Sequence, residues 1–210
     1  MATFTNGILG GFSGKVGNVV GGKWKGIDYM RSRSGKRTNG SSPAQLAQQA
    51  KFKLAMQFLQ PFTGLLNLTF RDYAVEMTGI NNAMRYLLNN AIDGSYPDLS
   101  INYQNVLVSR GDLPNGGTPA ATAAATTVTF TWSNNSGTGK AQASDQAILV
   151  AYCANLKQVK WTLNTAQRGS GTGALPLAGF AGMEVQTWIG FLSADGRRIA
   201  SSKYTGAFTL

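Results

Sequence analysis

The 210-residue sequence predicts an α+β protein, with an N-terminal glycine-rich β-ribbon and helices followed by a β-sandwich. Three observations carry that prediction. Glycines, β-branched residues, aromatics and cations are interleaved through Gly7–Arg37. Apolar residues then recur at helical spacing between Ser42 and Ala91. From Ser100 onward the apolar period drops to two, in short runs separated by Gly, Ser, Asn and Pro. The pattern divides the chain into a front region, 1–98, and a sandwich, 99–210.

The ribbon is expected from two β-like runs, Lys15–Val20 and Lys23–Arg33, with Gly21-Gly22 between them as a two-residue turn. A two-stranded ribbon is marginal in water, and its many glycines weaken it further, since each loses backbone entropy and packs no side chain. It must lean on the rest of the chain, a neighbouring subunit or a polyanion. A polar loop, SGKRTNGSSP, leads to a helix start with Ser42 as N-cap and Pro43 in the first turn. Leu46, Ala50, Leu54 and Phe58 form one apolar face of that helix, and Pro61 is expected to end it. A second helix is expected over Ile80–Ala91, capped by Thr78 and stopped by Asp93-Gly94. The strands expected beyond it are Ile101–Ser109, Thr127–Ser133, Gln146–Cys153, Gln158–Leu163, Ala174–Leu177, Met183–Leu192 and Ile199–Leu210. The Ala/Thr-rich stretch Gly111–Thr126 is expected to be a surface loop.

The net charge of +10 is concentrated at the front. Residues 1–60 hold nine Lys or Arg and one acid, whereas 61–210 hold ten and eight. Such asymmetry is the footprint of nucleic acid, an acidic surface or an acidic partner. The chain has no histidine, which removes the commonest general base and metal ligand. Its one cysteine, Cys153, lies in the apolar run AILVAYC and reads as a buried thiol. No run is long and apolar enough for a membrane span, and MATFTNGILGG lacks the regions of a secretory signal. The expected location is therefore the cytoplasm, with exit only as part of a particle or by another route.

Two resemblances follow from particular residues. Trp132 in VTFTW and the hairpin VQTWIGFLSADGRRIASSKY, with Asp195-Gly196 at its turn, resemble a fibronectin type III-like module, of the broader immunoglobulin-like sandwich kind. GGFSGKVGNVVGGKWKGIDYMRS, PAQLAQQAKFKLAMQFL, NYQNVLVSRGDLP and TFTWSNNSGTGKAQASDQAILVAYC resemble an uncharacterised bacterial family, one of the domains of unknown function. The resemblance implies a two-part architecture and supplies no activity.

Motifs for chemistry fall short of their requirements. Gly14-Lys15 is followed by Val16, so the glycine-rich stretch is no phosphate loop. Gly11-Phe12-Ser13-Gly14-Lys15 misses the fifth position of a nucleophile elbow. Asp72 and Glu76 read as a solvated helix face, and Arg110-Gly111-Asp112 as a turn. No catalytic residue, cofactor, metal or small-molecule substrate is expected. The candidate contact residues for assembly or a polyanion are Lys15, Lys23, Trp24, Lys25, Tyr29, Arg31, Arg33, Lys36 and Arg37. Taken as one strand, 23–33 places the cations with Ile27 and Tyr29 on one face and Trp24, Asp28 and Met30 on the other. Two functions fit: a non-enzymatic subunit of a particle, filament or surface layer that self-assembles into a homo-oligomer through the glycine-rich ribbon, or a nucleic-acid-binding protein using the basic ribbon and the first helix. A carbohydrate- or surface-binding module built on the sandwich, with Trp161 and Trp188 as platforms, is a third class.

Overall fold

A computed structural model describes residues 2–4, 7, 10–35, 40–71 and 77–210. The chain forms two compact units, Met1–Ser42 and Pro43–Leu210.

The first unit is a four-stranded antiparallel meander of β1 (Thr3–Phe4), β2 (Phe12–Val16), β3 (Val19–Trp24) and β4 (Ile27–Ser32), in that order. Its turns are not at Gly21-Gly22. They fall at Gly17-Asn18, where Val16 pairs with Val19, and at Lys25-Gly26, where Trp24 pairs with Ile27. Both carry the positive φ that tight hairpins need: 56° at Gly17, 47° at Lys25 and 88° at Gly26. Gly21 and Gly22 sit mid-strand because aromatic side chains lie against them. A Cβ on Gly21 would fall 2.2 Å from the Phe12 backbone oxygen, and one on Gly22 would fall 2.9 Å from the Tyr29 hydroxyl.

The second unit opens with α1 (Pro43–Leu59), a 3-10 turn (Gln60–Phe62), α2 (Thr63–Thr69) and α3 (Gly79–Asn90). α1 stops at Leu59, just before Pro61, as expected, but the chain continues helically in another form. Pro61 sits in the first turn of the 3-10 segment, where a missing N–H costs nothing. α3 matches expectation, with the Thr78 hydroxyl accepting from the Asn81 amide at 3.4 Å. Asp93-Gly94 lies in a hairpin of β5 (Ile92–Ser95) and β6 (Asp98–Ile101). The strand expected over Ile101–Ser109 is largely absent. A 3-10 turn (Tyr103–Asn105) is followed by extended chain that buries Val106 and Val108. The Val108 and Ser109 amides donate to the Ser202 hydroxyl at 2.9 and 3.3 Å, so one side chain replaces a ladder.

The sandwich comprises β7 (Gly117–Ala124), β8 (Thr127–Ser133), β9 (Gln146–Cys153), β10 (Gln158–Thr162), β11 (Thr172–Pro176), β12 (Glu184–Leu192) and β13 (Lys203–Thr209). One sheet runs β10-β9-β12-β13 and the other β11-β8-β7. β7 occupies the stretch expected to be a loop. Its small residues alternate in and out, and Ala121 and Ala123 pair with Phe130 and Val128, bulky neighbours that leave room for little more. The Asp195-Gly196 turn stands where expected, with the Arg197 amide donating to Asp195 Oδ1 at 3.0 Å.

Two cores flank β9 and β12. Phe130, Trp132, Leu149, Ile189 and Phe191 fill the space between the two sheets. On the opposite side Ile148, Val150, Tyr152 and Trp188 pack with Phe58, Phe62, Leu65, Leu66 and Leu87 from the helices. The unit is therefore helices on sheet on sheet, and β9 and β12 are buried on both faces. The boundary expected at 98/99 is corrected by that shared core: the compact unit begins at Pro43.

Candidate assembly and polyanion surface

Directly paired residues of an antiparallel sheet point to the same face, and neighbours along a strand to opposite faces. The register Lys15–Val20, Val20–Arg31, Gly22–Tyr29 and Trp24–Ile27 therefore gathers Lys15, Trp24, Ile27, Tyr29 and Arg31 on one face. Arg33 continues that face by alternation, and its amide donates to the Asn18 carbonyl at 2.7 Å. The other face holds Phe12, Val16, Val19, Met30 and the pair Lys23–Asp28, whose charged atoms lie 4.0 Å apart. The face assignment expected for a single strand over 23–33 is corrected, because the Lys25-Gly26 turn reverses the alternation. Trp24 joins Tyr29 and Arg31, whereas Lys23 moves beside the acid. Lys25 sits at the hairpin tip. Lys36 and Arg37 lie outside the described residues.

Neither face is a buried one. Trp24, Ile27 and Met30 are 58%, 69% and 71% exposed, and Val16, Val19 and Tyr29 are exposed as well. Among the described residues of Met1–Ser42 only Gly21 is buried. β4 is an edge strand exposed at all six positions.

Other sequence candidates resolve differently. Trp188 is fully buried and its indole N–H donates to the Tyr103 carbonyl at 3.2 Å, so it is no surface platform. Trp161 is 40% exposed. In Arg110-Gly111-Asp112 only the glycine is closely packed, since a Cβ there would collide with the Ile199 backbone, while Lys140 Nζ holds the exposed Asp112 Oδ2 at 2.5 Å. That ammonium keeps the Asp112 carboxyl below its ordinary range. Cys153 is buried beside Met183. Asp72 and Glu76 lie outside the described residues. Among the described residues no cluster of His, Cys, Asp or Glu could hold a metal ion, and no helix is long and apolar enough to cross a membrane.

Two features had no local signal in the sequence. An apolar groove of about 330 Å³ runs between α1 and α3, lined by Phe52, Met56, Ile80, Met84 and Leu88. At one end of the sandwich Arg168 is fully buried. Its guanidinium donates to Asp145 at 3.0 Å, Asn135 at 2.6 Å and the Pro114 carbonyl at 2.8 Å, and lies 4.2 Å from the Phe191 ring centroid. Each partner comes from a different segment, so no spacing could have announced the set. The Arg168 carbonyl in turn accepts from the Trp132 indole at 2.9 Å. In the helical core, burial pushes the Tyr152 phenol up to about 12.

A model of a family of unknown function (DUF6266) matches residues 11–206. The match includes β2, β3 and β4 as well as nearly all of the second unit. A search of curated proteins finds no match to the chain.

Proposed function

The chain belongs to that family of unknown function, and we propose that it is a non-enzymatic structural subunit that self-assembles through its N-terminal sheet. The observation that carries this reading is the exposure of Val16, Val19, Trp24, Ile27, Tyr29 and Met30 on a sheet with a single buried residue among those described. A sheet normally buries at least one face against another layer, and exposed apolar patches mark surfaces that a partner covers. Strand β4 adds an open edge whose backbone groups can pair with a neighbour's strand. The face with Val16, Val19 and Met30 is the natural contact between copies, because the charges among its described residues, Lys23 and Asp28, lie close enough to offset each other.

Light scattering of the full chain over a range of concentrations tests this. The expected mass exceeds the 22.3 kDa of a single chain and rises with concentration. The variant Val19→Ser with Met30→Ser, which removes apolar area without adding charge, is expected to shift the chain to monomer. A strict monomer at high concentration, with 1–42 resistant to protease, defeats the proposal.

A further inference from the structure

We infer that the face carrying Lys15, Trp24, Tyr29 and Arg31 binds single-stranded nucleic acid. The inference goes beyond assembly and uses the opposite side of the sheet. Three features converge. First, the face is basic and free of acid among its described residues, because the register sends Asp28 to the other side with Lys23. Second, Lys15 and Arg31 flank Val20 across three adjacent strands, which sets the two cations about 10 Å apart at their backbones. They can therefore meet successive phosphates of an extended strand. Third, the rings are laid out as platforms. The Tyr29 phenol lies across Gly22, where no side chain lifts it from the sheet, and it remains 46% exposed. Trp24 stands two residues further along β3 from Gly22, about 7 Å away, and is more exposed still.

Charge and rings divide the work. Cations release counterions from phosphate, which gives a salt-dependent grip without sequence choice. Flat rings take unpaired bases by stacking, which a duplex cannot offer since its bases are already stacked. The described residues of this unit form strands and no helix that could lie in a major groove, and duplex DNA is the poorer ligand for the face.

The test is fluorescence anisotropy of a labelled oligothymidylate of about 16 nucleotides titrated with the full-length chain. Binding is expected at about 50 mM salt and weaker by about tenfold or more at about 200 mM. Trp24→Ala and Tyr29→Ala are each expected to weaken it by about tenfold, with Trp24→Phe retaining most of the affinity. Lys15→Glu with Arg31→Glu should abolish it. Lys23→Ala, on the opposite face, should change it about twofold at most. The inference fails if the oligomer does not bind at low salt, if a duplex of equal length binds as tightly, or if the two ring variants bind like the parent. Val19→Ser with Met30→Ser separates the two readings. If that variant is monomeric and still binds, both stand. If the parent is monomeric and binds, only the assembly proposal falls.

Discussion

Arg168 shows most clearly what a single residue can do in this fold. Its charge is fully buried, and burial works against that charge while Asp145 works for it. Each nitrogen of the guanidinium has a partner, a carboxylate, an amide oxygen and a backbone carbonyl, and its plane meets an aromatic face. Removing one member of such a pair leaves the other charge buried without compensation, which costs about 3–5 kcal/mol. Arg168→Met is therefore expected to lower the urea unfolding free energy by about that amount. Arg168→Met combined with Asp145→Asn should recover part of the loss, because no bare carboxylate then remains in the interior. Additive losses in the double variant would mean that the two residues do not act as a pair. Nothing at Arg168 foretells this role in the sequence. The residue opens a three-residue 3-10 turn 23 positions from Asp145, too short for any periodicity to report on.

At the scale of elements, the glycines of β3 decide the architecture of the first unit. Gly21-Gly22 resembles a turn, because glycine is the residue that turns most easily. The chain instead turns where Gly17-Asn18 and Lys25-Gly26 allow it, and spends Gly21 and Gly22 on close approach to Phe12 and Tyr29. Gly21→Ala is expected to force β2 away from β3, since the new Cβ would meet the Phe12 backbone oxygen well inside contact distance. Hydrogen exchange should show lost protection of the β2 and β3 amides, with the urea midpoint of the Pro43–Leu210 unit unchanged. Retained protection would mean that the register is looser than the pairing implies. Period and capping made other elements legible. β8 and β9 fall on the expected residues, and α3 begins at its Thr78 cap. β7 escaped because Ala and Thr give a weak apolar alternation. Its strand character comes from its neighbours Phe130 and Val128, which are encoded elsewhere in the chain. The candidate surface was legible as a list of residues but not as two faces, because the face of each residue depends on where the hairpin turns.

For the whole molecule, the decisive fact is that one sheet serves two cores. A free-standing sandwich should bury one face of each sheet and leave the other wet. Here Ile148, Val150, Tyr152 and Trp188, on the far side of β9 and β12, are covered by α1, α2 and α3. The sequence shows β9 as a nearly continuous apolar run, which is the mark of a strand buried on both sides, but it does not show what supplies the second cover. Stripping the helices away would expose four large side chains, each contributing about 1.5–3 kcal/mol by its burial. That total is comparable to the net stability of an ordinary domain, about 5–15 kcal/mol. Two truncations should therefore behave oppositely. A chain of residues 43–210 is expected to be soluble and to unfold in one cooperative step. A chain of residues 99–210 is expected to aggregate or to lose the near-ultraviolet signal of a fixed tryptophan environment, since Trp188 would lose its partner Phe62 at 6.3 Å and its neighbours on α2. If 99–210 unfolds cooperatively at the same urea midpoint as 43–210, the helices are an appendage, and the sandwich is a domain in its own right.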